Sequence, residues 1–170
     1  MSNEMEDRDG ALAEESRRGN PQAFVKLATR WWAPVYRIAW NMSGSPSFAA
    51  EVTEQALLAG LRPSEWWPSS GASFKTFLYR VAMRLALIRW PLAASLKPWT
   101  SPAGSIWQAL EQLDPLDRAA LVLREIEQLS LEEAGEILGA SPGEVRMRAH
   151  RALLCLTCLL GQTSGLLMSA

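Results

Sequence analysis

The stretch Leu129–Leu156, LSLEEAGEILGASPGEVRMRAHRALLCL, constrains the fold more than any other part of the chain. It reads as two helices joined by a tight turn. Ser130 is a natural N-cap, and Glu133 three residues later completes a capping box that satisfies two backbone donors reciprocally. Gly139 ends the first helix, where a left-handed C-cap favours glycine. Ser141 caps the second helix, Pro142 takes its first position, and Glu144 closes a second capping box. Between the caps, Leu131, Ala134, Ile137 and Leu138 recur at helical spacing, as do Val145, Ala149, Ala152, Leu153 and Leu156. Gly135 sits mid-helix, a costly place for glycine unless another segment approaches closely there. The arrangement is a helix-turn-helix, whose second helix fits a DNA major groove.

Charge placement points the same way. Arg146, Arg148 and Arg151 avoid the Val145/Ala149/Ala152 face and are available to phosphates or guanine edges. The other reading of these side chains is a solvated helix face. The net charge of the chain is only −1 at pH 7, so any nucleic-acid contact must come from a local cluster. From Ile106 onward, five Arg stand against nine Asp and Glu, and three of the five fall in this helix. An acidic module with a basic tip neutralises few phosphates and binds DNA weakly unless a partner holds it there.

No sustained period-two alternation marks a strand, and helical periodicity dominates. The expected fold class is therefore all-α: two small helical domains joined by a linker, the C-terminal one a helix-turn-helix. Residues 1–9 read as disordered and Gly10–Arg18 as a first helix. A second helix begins at Asn20-Pro21 and carries Phe24, Leu27, Ala28, Trp31 and Trp32, with Pro34 beginning or kinking its continuation. Gly44-Ser45-Pro46 is a turn, and Ser47 starts a helix with Val52, Ala56, Leu57 and Leu61 inward. A loop over Pro63–Ser73 precedes a strong helix, Phe74–Trp90. Pro91–Ser105, with three prolines, small residues and little charge, reads as the linker. Asp114-Pro115-Leu116-Asp117 then opens a helix over Leu116–Glu127, and Gly161–Ala170 reads as frayed. The domains run over 10–90 and 106–160, with the linker at 91–105.

Several classes are excluded. The polar, acidic N-terminus has no signal-peptide core, and the apolar run LLCLTCLLG is too short to span a membrane, so a cytoplasmic setting is expected. His150, Cys155 and Cys158 have a spacing that would suit metal ligands, but the cysteines lie among leucines and a fourth ligand is not evident; they read as core residues, and no metal or cofactor is expected. With one His and no Gly-rich phosphate loop, the chain is not expected to be an enzyme.

These pieces, in this order, resemble bacterial RNA polymerase sigma factors of the short extracytoplasmic-function (ECF) type. LDPLDRAALVLREIEQLSLEEAGEILGASPGEVRMRAHRALLCL follows that family's region-four pattern. RRGNPQAFVKLATRWWAPVYRIAW, EVTEQALLAGL and SFKTFLYRVAMRLAL follow region two in order. The resemblance implies a non-catalytic specificity subunit that binds core RNA polymerase and promoter DNA and is held by an anti-sigma factor. Region two would recognise and melt the minus-ten element; region four would read the minus-thirty-five element.

Residue by residue, it places Ser141, Pro142, Glu144, Arg146, Met147, Arg148 and Arg151 on the DNA-facing turn and recognition helix, with Arg146 and Arg148 foremost. Glu51, Thr53, Glu54, Gln55 and Leu58 fall on the helix that docks on the polymerase clamp. Trp66 and Trp67 fall in the loop that captures a flipped minus-ten base. They would stack on unpaired bases, worth about 1–3 kcal/mol per base, or pack against neighbouring helices. Lys75, Arg80, Arg84 and Arg89 form a basic series suited to a single-strand backbone, or else a solvated face.

The chain departs from the pattern in region two. The clamp helix keeps one acid at its start, in Ser47-Phe48-Ala49-Ala50-Glu51. Leu61 stands where a Trp is usual before the loop, and Arg84 and Ile88 stand where Asn and Asp are usual after Phe77-Leu78-Tyr79-Arg80. Phe48 and Ile88 are apolar on surfaces normally charged and so would mark an altered partner surface. Trp90, Trp99 and Trp107 flank the linker and would bind a partner or pack the domains together. The main expectation is an alternative sigma factor. The others are a sigma-like protein that binds an anti-sigma or another regulator without initiating transcription, and a plain helix-turn-helix regulator.

Overall fold

The computed structural model describes residues 2–60, 73–95 and 105–167. Every regular element among them is helical. The chain divides into two compact units, Met1–Ile88 and Arg89–Ala170.

The first unit begins with α1 (Ser2–Arg17), which starts before the expected Gly10. The segment read as disordered is helical because Asp9 ties α1 down. Its carboxylate is 1% exposed and accepts hydrogen bonds from Arg30 and, at 3.0 Å, from Trp31 Nε1. Helix α2 (Pro21–Ser43) begins where the cap and proline signal it, with Asn20 Oδ1 accepting from the Gln22 N–H at 3.1 Å. It runs unbroken through Pro34. A proline removes one helix hydrogen bond; here buried Val35, Ile38, Ala39 and Met42 hold the following turns against the core. Gly44 then turns the chain at φ +66°, and Ser45 caps α3 (Pro46–Ala59). Helix α4 (Phe74–Ser95) brings Phe74, Phe77, Leu78, Tyr79, Ala82, Met83 and Ala86 into the core and continues to Ser95, so that 91–95, read as linker, is helical.

The second unit comprises α5 (Ile106–Glu111), α6 (Pro115–Leu121), α7 (Leu131–Leu138) and α8 (Pro142–Leu167). Helix α6 ends in a π-helical turn, Val122–Ile126, and Gln128 follows at φ +54°. Helix α8 reaches Leu167, past the point where fraying was expected. The core gathers Ala109, Leu110, Leu113, Leu121, Ala152 and Leu156. Trp107, Cys155, Leu159 and Leu160 pack against it partly buried, whereas Cys158, expected in the core with Cys155, is exposed. Arg118 is fully buried, and its Nη1 donates to the Leu110 carbonyl at 3.1 Å. Burial pulls its guanidinium down to about 10, against the opposing pull of Glu111.

Candidate nucleic-acid interface

Both capping boxes of the helix-turn-helix are formed. Ser130 Oγ accepts from the Glu133 N–H at 3.0 Å while Glu133 Oε2 accepts from the Ser130 N–H at 2.8 Å. Ser141 Oγ accepts from the Glu144 N–H at 3.3 Å, and Glu144 Oε2 accepts from the Ser141 N–H at 2.8 Å and its hydroxyl at 2.7 Å. The Ser141 hydroxyl, then its backbone N–H, holds the Glu144 carboxyl below the usual carboxylate range. Gly139 caps α7 at φ +67°. Gly135 has the role that justifies a mid-helix glycine: a Cβ there would lie 2.6 Å from the Ala140 carbonyl oxygen. The turn packs directly on α7, and this fixes how α8 leaves it.

Helix α8 buries Val145, Ala149, Ala152 and Leu156. Leu153, expected inward, is 41% exposed, because about 100° per residue carries it away from the Ala152/Leu156 line. Ser141, Pro142, Gly143, Glu144, Arg146, Met147, His150 and Arg151 are exposed. The three arginines do not form one patch. Arg146 and Arg148 are two residues apart, about 200° around the axis, and so lie on opposite flanks. Arg146 shares the outward side with Met147 and His150, and makes no hydrogen bond or ion pair among the described residues.

Arg148 and Arg151 face α6, where one carboxylate engages both. Arg151 Nε and Nη2 donate to Asp117 Oδ2 and Oδ1, each at 2.5 Å, and Arg148 Nη1 donates to Asp117 Oδ1 at 3.3 Å. Arg148 Nη1 is also 4.0 Å from Asp114 Oδ1. The hydrogen bonds and charge of Asp117 raise the Arg151 guanidinium above its usual range. Of the two arginines expected foremost at DNA, Arg146 is unengaged among the described residues, whereas Arg148, with Arg151, is bonded within the unit. Asp117, an acid in the first turn of α6, carries no local sign of this second role. The i+4 spacing of His150 from Arg146 is the sequence signal for this shared face.

In the first unit, Glu51, Glu54, Gln55 and Leu58 of α3 are exposed and fall within one arc of about 100°. Gln55 Nε2 donates to Glu51 Oε1 at 3.2 Å. Gln55, Leu58 and Ala59 of α3, with Val81 and Leu85 of α4, line a depression of about 370 Å³. Thr53 is not part of this face. It is fully buried on the opposite side, and its hydroxyl donates to the Ala49 carbonyl at 2.6 Å. Phe48 is a core residue at 7% exposure, so it does not mark an altered surface; Ile88, at 68%, is exposed.

Trp66, Trp67 and Leu61 lie outside the described residues, as do the Trp90 side chain and Trp99. The basic series on α4 is split. Lys75 and Arg84 are nine positions apart, about 180° around the helix. Lys75 is half-buried with Nζ 6.0 Å from the Tyr79 ring centroid, and Arg84 is exposed, with half-buried Arg80 one turn before it. No group of three or more metal-ligating side chains exists among the described residues, and no helix among them is long and apolar enough to cross a membrane.

Comparison with known proteins places both units. Residues 27–90 match the family model for sigma-70 region 2, and residues 103–156 match that for sigma-70 region 4. The chain is similar to RNA polymerase sigma factor CarQ of Myxococcus xanthus, at 50% identity over 54 residues, covering 32% of this chain and 31% of that one. It is also similar to ECF RNA polymerase sigma factor SigE of Mycolicibacterium smegmatis, at 31% identity over 139 residues, covering 69% of this chain and 53% of that one. It therefore spans less than two thirds of the length of either relative. Among solved structures, CnrH in complex with the cytosolic domain of CnrY matches with a TM-score of 0.69 at 23% identity, covering 91% of this chain and 98% of that one. The sigma factor RpoE in complex with the anti-sigma factor NepR, from Bartonella quintana, matches at 0.63 and 17% identity, covering 81% and 96%. At these identities the structures establish the fold.

Proposed function

We propose that this chain, which belongs to the sigma-70 family, is an alternative sigma factor of the ECF kind that binds core RNA polymerase and directs promoter-specific transcription initiation. The observation that carries the reading is the presence on one chain, in family order, of the two modules such a subunit needs. One presents the α3 stripe Glu51/Glu54/Gln55/Leu58; the other presents a helix-turn-helix with Arg146, Met147 and His150 outward. The first stripe docks on polymerase. The second reads the minus-thirty-five element, with Arg146 positioned for a guanine edge or a phosphate. Trp66 and Trp67 stack on an unpaired minus-ten base, and Arg80 and Arg84 follow the single-strand backbone.

The acidic balance fits a subunit held on DNA by polymerase rather than by its own affinity. Its action is binding, not catalysis, in the cytoplasm. An anti-sigma factor is the expected inhibitor, as NepR is bound to the RpoE that shares this fold.

The test is co-purification with core RNA polymerase, followed by in-vitro transcription and start-site mapping. Start-site-specific transcripts that disappear in Arg146→Ala, with core binding retained, support the reading. A folded protein that does not bind core overturns it in favour of a sigma-like interaction protein, which the exposed Ile88 on α4 favours.

A further inference from the structure

We propose that Asp117 is the residue that sets how selectively α8 reads DNA. It is a positioning residue: it holds Arg148 and Arg151 in place beside the unengaged Arg146. The inference rests on the reading of α8 as a recognition helix and adds the partner that governs it.

The geometry separates the arginines by the edge each has left to offer. Guanine is read by two parallel N–H donors on one edge of a guanidinium, or by one edge approached end-on. Arg151 has committed its Nε–Nη2 edge to the two oxygens of Asp117. Its side chain nevertheless stays 55% exposed, so Nη1 and the second N–H of Nη2 remain open at the tip, held in a fixed position for a phosphate or a guanine edge. Arg148 is 26% exposed and shares one of the same oxygens. Arg146 has no such commitment and faces outward.

The carboxylate that imposes this order is itself 6% exposed and sits at the start of α6. A buried acceptor bonded by two cations fixes their rotamers, because swinging either one out leaves a desolvated charge short of a partner. One acid therefore turns three mobile cations, which would grip any duplex, into two held in fixed positions and one left free to move. It also ties α8 to α6, alongside the core packing of Leu121 against Ala152 and Leu156.

The discriminating experiment measures two quantities on holoenzyme carrying Asp117→Asn. The first is affinity for a duplex selected by wild-type holoenzyme from a random pool. The second is affinity for poly(dI-dC). Removing a negative charge beside DNA should by electrostatics alone strengthen both. Positioning by Asp117 demands the opposite for the selected duplex: its affinity falls, non-specific affinity holds or rises, and the ratio drops about tenfold, the scale of one lost base contact. A parallel rise in both affinities would overturn the proposal, because Asp117 would then be only an electrostatic brake.

Arg151→Lys gives a second route, made at the exposed member of the pair and leaving the buried carboxylate in place. It keeps the cation but cannot make the paired edge contact. The ratio falls with it if the clamp positions the helix, and an unchanged ratio overturns the proposal even if Asp117→Asn proves unfolded. Arg146→Ala in the same assay separates the two levels of the argument. If it leaves the ratio unchanged, the recognition-helix reading itself fails; if it lowers the ratio while Asp117→Asn and Arg151→Lys do not, only the positioning role fails.

Discussion

Gly135→Ala tests the construction of the helix-turn-helix at the point where two physical effects oppose each other. Alanine is favoured over glycine in a helix interior by about 1 kcal/mol, so local propensity alone predicts a more stable protein. The structure predicts the reverse. The new Cβ would meet the Ala140 carbonyl oxygen at 2.6 Å, far inside the usual contact separation of about 3.5 Å or more. The obstacle is backbone, and it has little freedom to retreat. The Ala140 N–H is bonded to the Gly135 carbonyl at 3.0 Å, and Gly139 is already in the left-handed region. Overpacking of this kind costs about 1–3 kcal/mol, and a pinned backbone atom places it in the upper part of that range. The net expectation is a loss of about 1–2 kcal/mol, or roughly 5–15 °C in the melting of a unit of this size. Hydrogen exchange of the α7 and α8 amides in the full-length chain reads the change in the affected unit directly. Because the turn must open, start-site-specific transcription should fall further than the unfolded fraction explains. A variant as stable as the wild type, or more so, would refute the close approach of α7 and the turn.

Further predictions concern single contacts. Thr53→Val should leave core polymerase binding intact and cost less than about 1 kcal/mol, since the hydroxyl is buried and bonded within its own helix; loss of binding by the folded variant would return Thr53 to the docking surface. Asp9→Ala should release α1, raising the exchange rate of its amides by the equivalent of about 1–3 kcal/mol, because the Trp31 N–H loses its acceptor. Unchanged exchange would mean that α1 is held by something else. The Glu144 carboxyl is held below the ordinary carboxylate value of 4.5, so its contribution is fully present above that pH and lost as pH falls through its lowered value. Protection of the first α8 amides should fall on acidification in the wild type and lose that pH dependence in Glu144→Gln.

The parts of this protein legible in its sequence are those written in local chemistry. Ser130, Glu133, Gly139, Ser141, Pro142 and Glu144 each act within four residues of themselves, and the caps and turn they specify all form. The same holds for Asn20-Pro21 and Gly44-Ser45-Pro46. The misreadings come from partners distant in the chain or from helix rotation. The first turns of α1 are polar and read as disorder, but Asp9 is anchored by Arg30 and Trp31, more than twenty positions away. Phe48 and Thr53 were placed on a surface by analogy of position, whereas helix rotation turns both into the core.

The arginines of α8 show the limit most clearly. Periodicity alone places them off the buried face, and the structure agrees. It cannot say what else lies beside a face that is not buried. Arg148 and Arg151 meet a carboxylate thirty-one and thirty-four residues earlier in the chain. An acid in the first turn of a helix is sufficient by itself as a helix-start residue, so nothing local calls for a second role. A charge pattern on one helix therefore gives the number of cations available to DNA only as an upper bound. The helices packed beside it decide how many remain unengaged, and here Asp117 on α6 bonds two of the three.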